Sequence, residues 1–120
     1  DLSFDFVAFG QDDRALGAAQ VRACLERWPE VTGIYNAGGG NVGILEELRL
    51  SKREVFFVGH ELTDESQAAI RDGIAHVILD QLPEAQARRA IDIALSRIGL
   101  LEEPIENPPI RFTTITADNI

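Results

Sequence analysis

Short apolar runs alternate with longer amphipathic stretches along the whole chain. Five of these runs predict strands, over residues 4–9, 31–35, 55–58, 76–79 and 110–116. Four stretches between them repeat apolar residues at helical spacing and predict helices, over residues 13–28 and 41–50, from Thr63 to Gly73, and from Pro83 to Gly99. This alternation predicts an α/β fold, with a parallel five-stranded sheet, helices on both faces and right-handed crossovers.

Length and charge limit the function. With 120 residues, 45% of them hydrophobic, the chain can form one packed domain over residues 1–120. Twenty acidic against eleven basic residues give a net charge of −9, which disfavours direct binding to DNA. A single cysteine, Cys24, allows no intramolecular disulfide and favours a reducing compartment, so we expect a cytoplasmic protein. No run approaches the roughly 20 apolar residues of a membrane span and no signal segment opens the chain, so no membrane association is expected.

Polar side chains follow several of the predicted strands, where the carboxyl ends of a parallel sheet form the usual ligand crevice. The candidates for ligand binding are Asn36, Asn41, Glu61, Asp80 and Gln81. Their acceptors and amide donors suit the vicinal hydroxyls of a neutral polyol, and none is a nucleophile beside a general base, so no enzymatic activity is expected. Each could instead serve only as a helix cap or turn former, and this alternative is favoured for Asp12 and Asp13.

A glycine-rich segment opens the second predicted helix. Gly38 to Gly43 fits the G-x-G-x-x-G template, and Glu61 follows eighteen residues later, as in a dinucleotide-binding domain of an oxidoreductase. Asn36 and Ala37 separate the strand from the first glycine, however, and no catalytic group follows. A sharp turn or a close approach of the backbone to a ligand also explains the glycines. For His60 and His76, capping or packing is favoured over a metal site, and no cofactor is expected.

Three motifs carry a resemblance to a known family. They are GIYNAGGGN over Gly33–Asn41, FVGHELT over Phe57–Thr63 and VILDQLP over Val77–Pro83. In order and spacing they resemble the carboxyl-terminal half of the ligand-binding domain of LacI-type transcription regulators, which has the periplasmic-binding-protein-like type I fold. The likeness spans essentially the whole chain, to a closing Thr116–Asn119 that is similar to the tail of these regulators.

The resemblance implies roles for particular residues. Glu61 stands where relatives commonly have an aspartate that accepts hydrogen bonds from sugar hydroxyls, and Gln81 matches a glutamine at the hinge that contacts ligand. The loop from Asn36 to Asn41 matches a segment that usually carries an Asn-Asp pair, but here it is rich in glycine. The helix over residues 83–100 would belong to the crossover to a second lobe.

The resemblance thus implies an effector-sensing domain of a LacI-type regulator that binds a sugar or related small polyol. DNA would be contacted only through a headpiece that this chain does not contain. Because the apolar stripe of the helix over 83–100 lacks its usual partner, a homodimer or a rearranged helix is expected. The alternatives are a periplasmic sugar-binding component of an ABC importer and the dinucleotide-binding domain already mentioned.

Overall fold

The computed structural model describes residues 3–4, 6–101 and 105–120. The elements in this part are α1 (Arg14–Arg27), β1 (Gly33–Tyr35), α2 (Asn41–Ser51), β2 (Phe56–His60), α3 (Asp64–Arg71), β3 (Val77–Asp80), α4 (Pro83–Arg97) and β4 (Thr113–Ile115). Three of the helix starts follow from single residues. Asp13 caps α1 by accepting a hydrogen bond from the Leu16 amide, Thr63 caps α3 through the Ser66 amide, and Pro83 opens α4.

The described strands form one sheet in the order β1-β2-β3-β4. The first three are parallel, and β4 runs antiparallel to β3, with Thr113 opposite Asp80. The carboxyl ends of β1, β2 and β3 therefore lie at one edge of the sheet, which we call the carboxyl edge. The chain enters β4 at this same edge.

Helices α1, α2 and α3 cover one face of the sheet. The strand residues in the hydrophobic core are Ile34, Phe57, Ile78 and Ile115, and the strand register places them on this face. They pack with apolar residues of the helices, among them Val21, Leu25, Ile44, Leu45, Leu48, Ala69 and Ile70. Strand side chains on the other face of the sheet are more accessible to solvent, with Tyr35 58% and Phe56 52% exposed.

The α/β fold is confirmed, but the sheet differs from the predicted five parallel strands with helices on both faces. The described residues of the 4–9 run form no strand, because none of them pairs with a neighbouring strand. Phe6 packs on Trp28 with ring centroids 4.9 Å apart, whereas Phe4 and Phe9 are exposed. The described helices cover one face only. An apolar run can predict an extended segment, but its composition does not determine whether a neighbouring strand is present to pair with it.

Helix α4 explains why the last strand is antiparallel. None of the residues of α4 is buried, so this helix does not pack across a face of the sheet. It therefore does not return the chain to the opposite edge, where the parallel strands begin. Instead it projects away, and the molecule measures 59 × 30 × 30 Å with a radius of gyration of 17.9 Å. A compact domain of this length would have a radius of gyration of about 14 Å. No helix in the described residues has the length and apolar character that crossing a membrane would need.

Candidate ligand-binding site

The predicted site residues lie at the carboxyl edge. Asn36 directly follows β1, Glu61 follows β2, and Gln81 follows Asp80 at the end of β3. Glu61 and Gln81 are exposed, while Asn36, Asn41 and Asp80 are half-buried. Neighbouring parallel strands thus bring side chains that are far apart in sequence to one rim, as expected.

Asn36 and Asn41 hold the glycine-rich loop together. The Asn36 amide nitrogen donates to the carbonyl oxygens of Gly38 and Gly39, both at 2.9 Å, and to the Asn41 side-chain oxygen at 2.7 Å. The Asn41 amide in turn donates to the carbonyl oxygen of His60 at 2.6 Å. Both amide groups therefore donate hydrogen bonds within the protein, which favours the turn-forming role for both asparagines.

Asp12 contacts the same loop from the preceding segment. Its carboxylate accepts a hydrogen bond from the Gly39 amide at 2.5 Å. A Cβ on Gly38 would lie 2.5 Å from that carboxylate oxygen, and one on Gly39 would lie 3.0 Å from the Asp12 Cβ. Of the two aspartates for which a role as helix cap or turn former was favoured, Asp13 caps α1, whereas Asp12 does not cap the helix and instead joins two loops of the carboxyl edge.

This packing also accounts for the glycine-rich motif. In a dinucleotide-binding domain, the amide groups of such a loop meet the pyrophosphate. Here the Gly39 amide donates its hydrogen bond to the Asp12 carboxylate, which would repel a phosphate group at that position. A Cβ on Gly43 would lie 1.9 Å from the carbonyl oxygen of Arg14, so this glycine permits the contact between α1 and α2. The geometry therefore argues against the dinucleotide alternative.

The backbone adopts rare conformations at the carboxyl edge. Four of the five described non-glycine residues with positive φ lie in its loops, namely Gln11 (51°), Asp12 (56°), Glu61 (67°) and Leu82 (55°). The fifth, Lys52, follows α2 at the opposite edge. Such conformations are uncommon outside glycine and concentrate at binding sites, where the surrounding structure holds them.

The ends of β2 and β3 leave carboxylates at the rim. Asp80 accepts a hydrogen bond from the Leu82 amide at 3.3 Å, which shapes the turn into α4. The backbone carbonyl of Gln81 accepts from the side chain of Gln86 at 2.6 Å. Glu61 has a left-handed backbone conformation, and its side chain, like that of Gln81, is exposed at the rim.

Tyr35 and His60 are two residues at this edge that the sequence did not single out for ligand binding. The Tyr35 hydroxyl lies 2.8 Å from Nε2 of His60, and their ring centroids are 5.6 Å apart. Each is the last residue of its strand. That position was the available signal, since a polar aromatic side chain at a strand end reaches the same rim as the residues that follow it.

A comparison with known families identifies the fold. The family model described as periplasmic binding protein domain matches residues 3–99. The chain belongs to this family. No curated protein is similar enough to count as a relative.

Solved structures of periplasmic binding proteins share the fold. GanP, a glucose-galactose binding protein from Geobacillus stearothermophilus, superposes with a TM-score of 0.79 at 14% identity, over 92% of this chain and 40% of its own. An ABC transporter solute binding protein from Agrobacterium vitis with bound D-fucose gives 0.85 at 16% identity, over 93% and 39%. A carbohydrate transporter solute binding protein from Agrobacterium radiobacter, in complex with D-arabinose, gives 0.79 at 17% identity, over 89% and 37%. The chain therefore spans about two fifths of the length of these proteins.

The charge at the carboxyl edge of this periplasmic binding protein domain limits what it can bind. Asp12, Glu61 and Asp80 contribute three carboxylates. The nearby guanidinium of Arg14 is paired with Glu46. A carboxylate-rich rim of this kind suits hydroxyl groups, for which it supplies acceptors, and it repels anions.

A metal site and an anion-binding site at the opposite edge are two further possibilities for the described residues. No group of three or more potential ligand side chains in the described residues could hold a metal ion. A groove of about 550 Å³ opens at the opposite edge of the domain, beside Arg49 and Arg53. Arg49 is paired with Asp72, however, and Arg53 donates to backbone carbonyl oxygens that include Leu25 and Pro29, so both arginines of this groove, which Lys52 also lines, have partners.

Proposed function

We propose that this chain forms half of a binding site for a sugar or a related neutral polyol. One observation carries the proposal, the gathering of side-chain oxygens and an amide at the carboxyl edge, where Glu61 and Gln81 are exposed. A second lobe would complete the cleft, and the ligand would be held between the two. The sugars in the similar structures, D-fucose and D-arabinose, support this ligand class.

Two biological settings fit this function. The similar structures with transporter descriptions favour the solute-binding component of a sugar importer, which was the alternative at the level of sequence. The run His60-Glu-Leu-Thr63 resembles the LacI-type regulators and supports the second setting, an effector sensor. In that setting, DNA binding through a separate headpiece, a homodimer and a cytoplasmic location remain predictions. A signal segment encoded upstream would indicate the importer component, and a helix-turn-helix would indicate the regulator.

A titration of the ¹⁵N-labelled chain by NMR tests the ligand class. We expect D-fucose, D-arabinose or D-galactose at millimolar concentration to shift amide resonances of residues 36–41, 60–62 and 80–82. Galactose 6-phosphate should cause smaller shifts, because the rim carboxylates repel its phosphate. Shifts confined to the opposite edge, or an intact protein that binds no neutral sugar, would refute the proposal.

Variants of the intact protein give a sharper measurement. Glu61→Ala and Gln81→Ala should each weaken sugar binding by about 1–3 kcal/mol, because a polar partner of the ligand is lost. Glu54→Ala is the matched control, since Glu54 is an exposed carboxylate at the opposite edge. Unchanged affinity in both rim variants by calorimetry would remove these residues from the site.

A further inference from the structure

His60 has one ring nitrogen with a partner and one without. Nε2 lies 2.8 Å from the Tyr35 hydroxyl. Nδ1 is buried and has no hydrogen-bond partner among the residues that the structure describes. Because a neutral imidazole carries a single proton, the position of that proton decides which of the two groups, His60 or Tyr35, is the donor in their shared bond.

The buried nitrogen favours one tautomer. If the proton were on Nδ1, a buried N–H group would lack an acceptor, and orphaned buried donors are rarer in proteins than unsatisfied acceptors. If the proton is on Nε2, it is donated to the Tyr35 oxygen, and Nδ1 keeps only an unused lone pair. The hydroxyl proton of Tyr35 is then not needed by His60.

From this we infer that Tyr35 is a ligand-contacting residue, whose hydroxyl, held by His60, donates a hydrogen bond to an oxygen of the bound polyol. This inference rests on the proposed function. Tyr35 ends β1 at the carboxyl edge and is 58% exposed, so its hydroxyl is accessible from the rim. The tilted contact between the two rings, with 51° between their planes, helps to fix its direction.

Hydrogen-bond acceptors outnumber unpaired side-chain donors among the predicted site residues of this rim. Ionised Asp12, Glu61 and Asp80 can only accept hydrogen bonds. The amide nitrogens of Asn36 and Asn41 already donate within the protein. Sugar hydroxyls both donate and accept hydrogen bonds, so a site that holds them needs donors as well as carboxylates. The Tyr35 hydroxyl supplies a donor in addition to the side-chain amide of Gln81.

The tautomer can be measured without any ligand. Long-range ¹H–¹⁵N correlation spectra of the two histidines, recorded at about pH 9 where imidazoles are neutral, distinguish N–H from unprotonated ring nitrogens. His76 is an internal reference, because its Nδ1 accepts from the Phe57 amide at 3.2 Å and its proton must be on Nε2. We expect the same pattern for His60. A proton on Nδ1 of His60 would overturn the inference, since Tyr35 would then donate to His60.

The second measurement is the D-fucose affinity of Tyr35→Phe in the intact protein, a variant that keeps the ring and removes the hydroxyl. We expect a dissociation constant about five- to tenfold higher, as for the loss of one hydrogen bond. Phe56→Leu is the control, because Phe56 is 52% exposed on the same face but begins β2 at the opposite edge, and it should bind like the wild type.

The outcomes distinguish a failure of this inference from a failure of the proposed sugar-binding function. If the unmodified intact protein binds D-fucose and Tyr35→Phe binds equally well, the inference is wrong and the proposed function stands. A variant that loses stability but not affinity also overturns the inference, with Tyr35 serving only to pack the sheet face. If no neutral sugar binds the unmodified intact protein, the proposed function falls and the inference falls with it.

Discussion

Gly43 lies where α1 and α2 approach most closely. Its Cα stands so near the carbonyl of Arg14 that a Cβ would be 1.9 Å from the oxygen and 2.8 Å from the carbon. Gly17 makes a similar but looser approach, with a Cβ contact at 3.3 Å to Ile44. Small residues at these two positions let the backbones of the helices touch, so that their apolar side chains meet in one core.

Gly43→Ala should therefore be strongly destabilising. The added methyl group meets backbone atoms that cannot move without separating the helices, and we expect a loss of about 3 kcal/mol or a failure to fold. Gly73→Ala is the control, because Gly73 has φ of 73° but nothing within 4 Å of a Cβ, and it should lose only about 1 kcal/mol from backbone strain. Urea unfolding measures both, and equal losses would contradict this explanation.

Single residues were predictable where their chemistry acts locally. Thr63 and Asp13 cap helices within three residues of themselves, so the sequence alone indicates their roles. Asp12 could not be assigned in this way, because its partner, the Gly39 amide, is 27 residues away in the chain. The Tyr35–His60 bond spans 25 residues and was missed for the same reason.

At the scale of elements, α1 and α2 are joined by charge as well as by packing. Arg22 donates to both carboxylate oxygens of Glu47, at 3.1 and 2.6 Å, and Glu47 is buried. These hydrogen bonds hold the pKa of Glu47 below its ordinary value of 4.5, although its burial acts in the opposite direction. The pair thus favours the folded state whenever Glu47 is ionised.

This pKa direction sets a pH dependence. A carboxyl group whose pKa is lowered by folding contributes its full stability above the ordinary value of 4.5 and loses it as the pH falls through the lowered, folded-state pKa. Glu47→Gln should therefore be less stable than the wild type at pH 7, and the difference should shrink as the pH falls below 4.5. Urea midpoints across this range measure it.

The control for that experiment is Glu30→Gln, which removes an exposed carboxylate from the loop after α1. We expect it to change stability little at any pH. A Glu47→Gln deficit that persisted unchanged in acid would show that the side chain acts through packing and not through its charge.

The predicted helices match the structure to within a few residues, because each carries its own apolar periodicity and end signals. The strand predictions were less accurate, since a strand forms only where a neighbouring strand pairs with it. The run over residues 4–9 has the right composition but no partner, and the direction of β4 depends on where α4 sends the chain. Register and face coverage are properties of the assembled sheet and cannot be read from one segment.

At the scale of the whole molecule, α4 presents an uncovered apolar stripe. Ala87, Ile91, Ala94 and Ile98 are all exposed, at spacings that place them on one side of the helix. Ile91 is 58% and Ile98 69% exposed. Burying such side chains contributes about 1.5–3 kcal/mol each, so contact with a second copy is favoured where no other partner is present.

We therefore expect the isolated chain to self-associate through α4. Light scattering should show a mass that rises from 13.2 kDa towards that of two copies between micromolar and submillimolar concentration. The double variant Ile91→Asp, Ile98→Asp should stay at the mass of one copy. Leu50→Asp, which changes a 72% exposed side chain on α2, should associate like the wild type. A constant monomer mass for the wild type would contradict the prediction.

The antiparallel direction of β4 has one more consequence. Because the chain leaves the sheet after Asp80 and re-enters it at Thr113, directly opposite, both tethers of α4 start from the same edge. A ligand bound at that edge, as proposed, would lie beside the points where both connections meet the sheet. A change in the torsion angles of Leu82, which joins β3 to α4, would therefore reorient α4 relative to the sheet and link its direction to what is bound at the carboxyl edge.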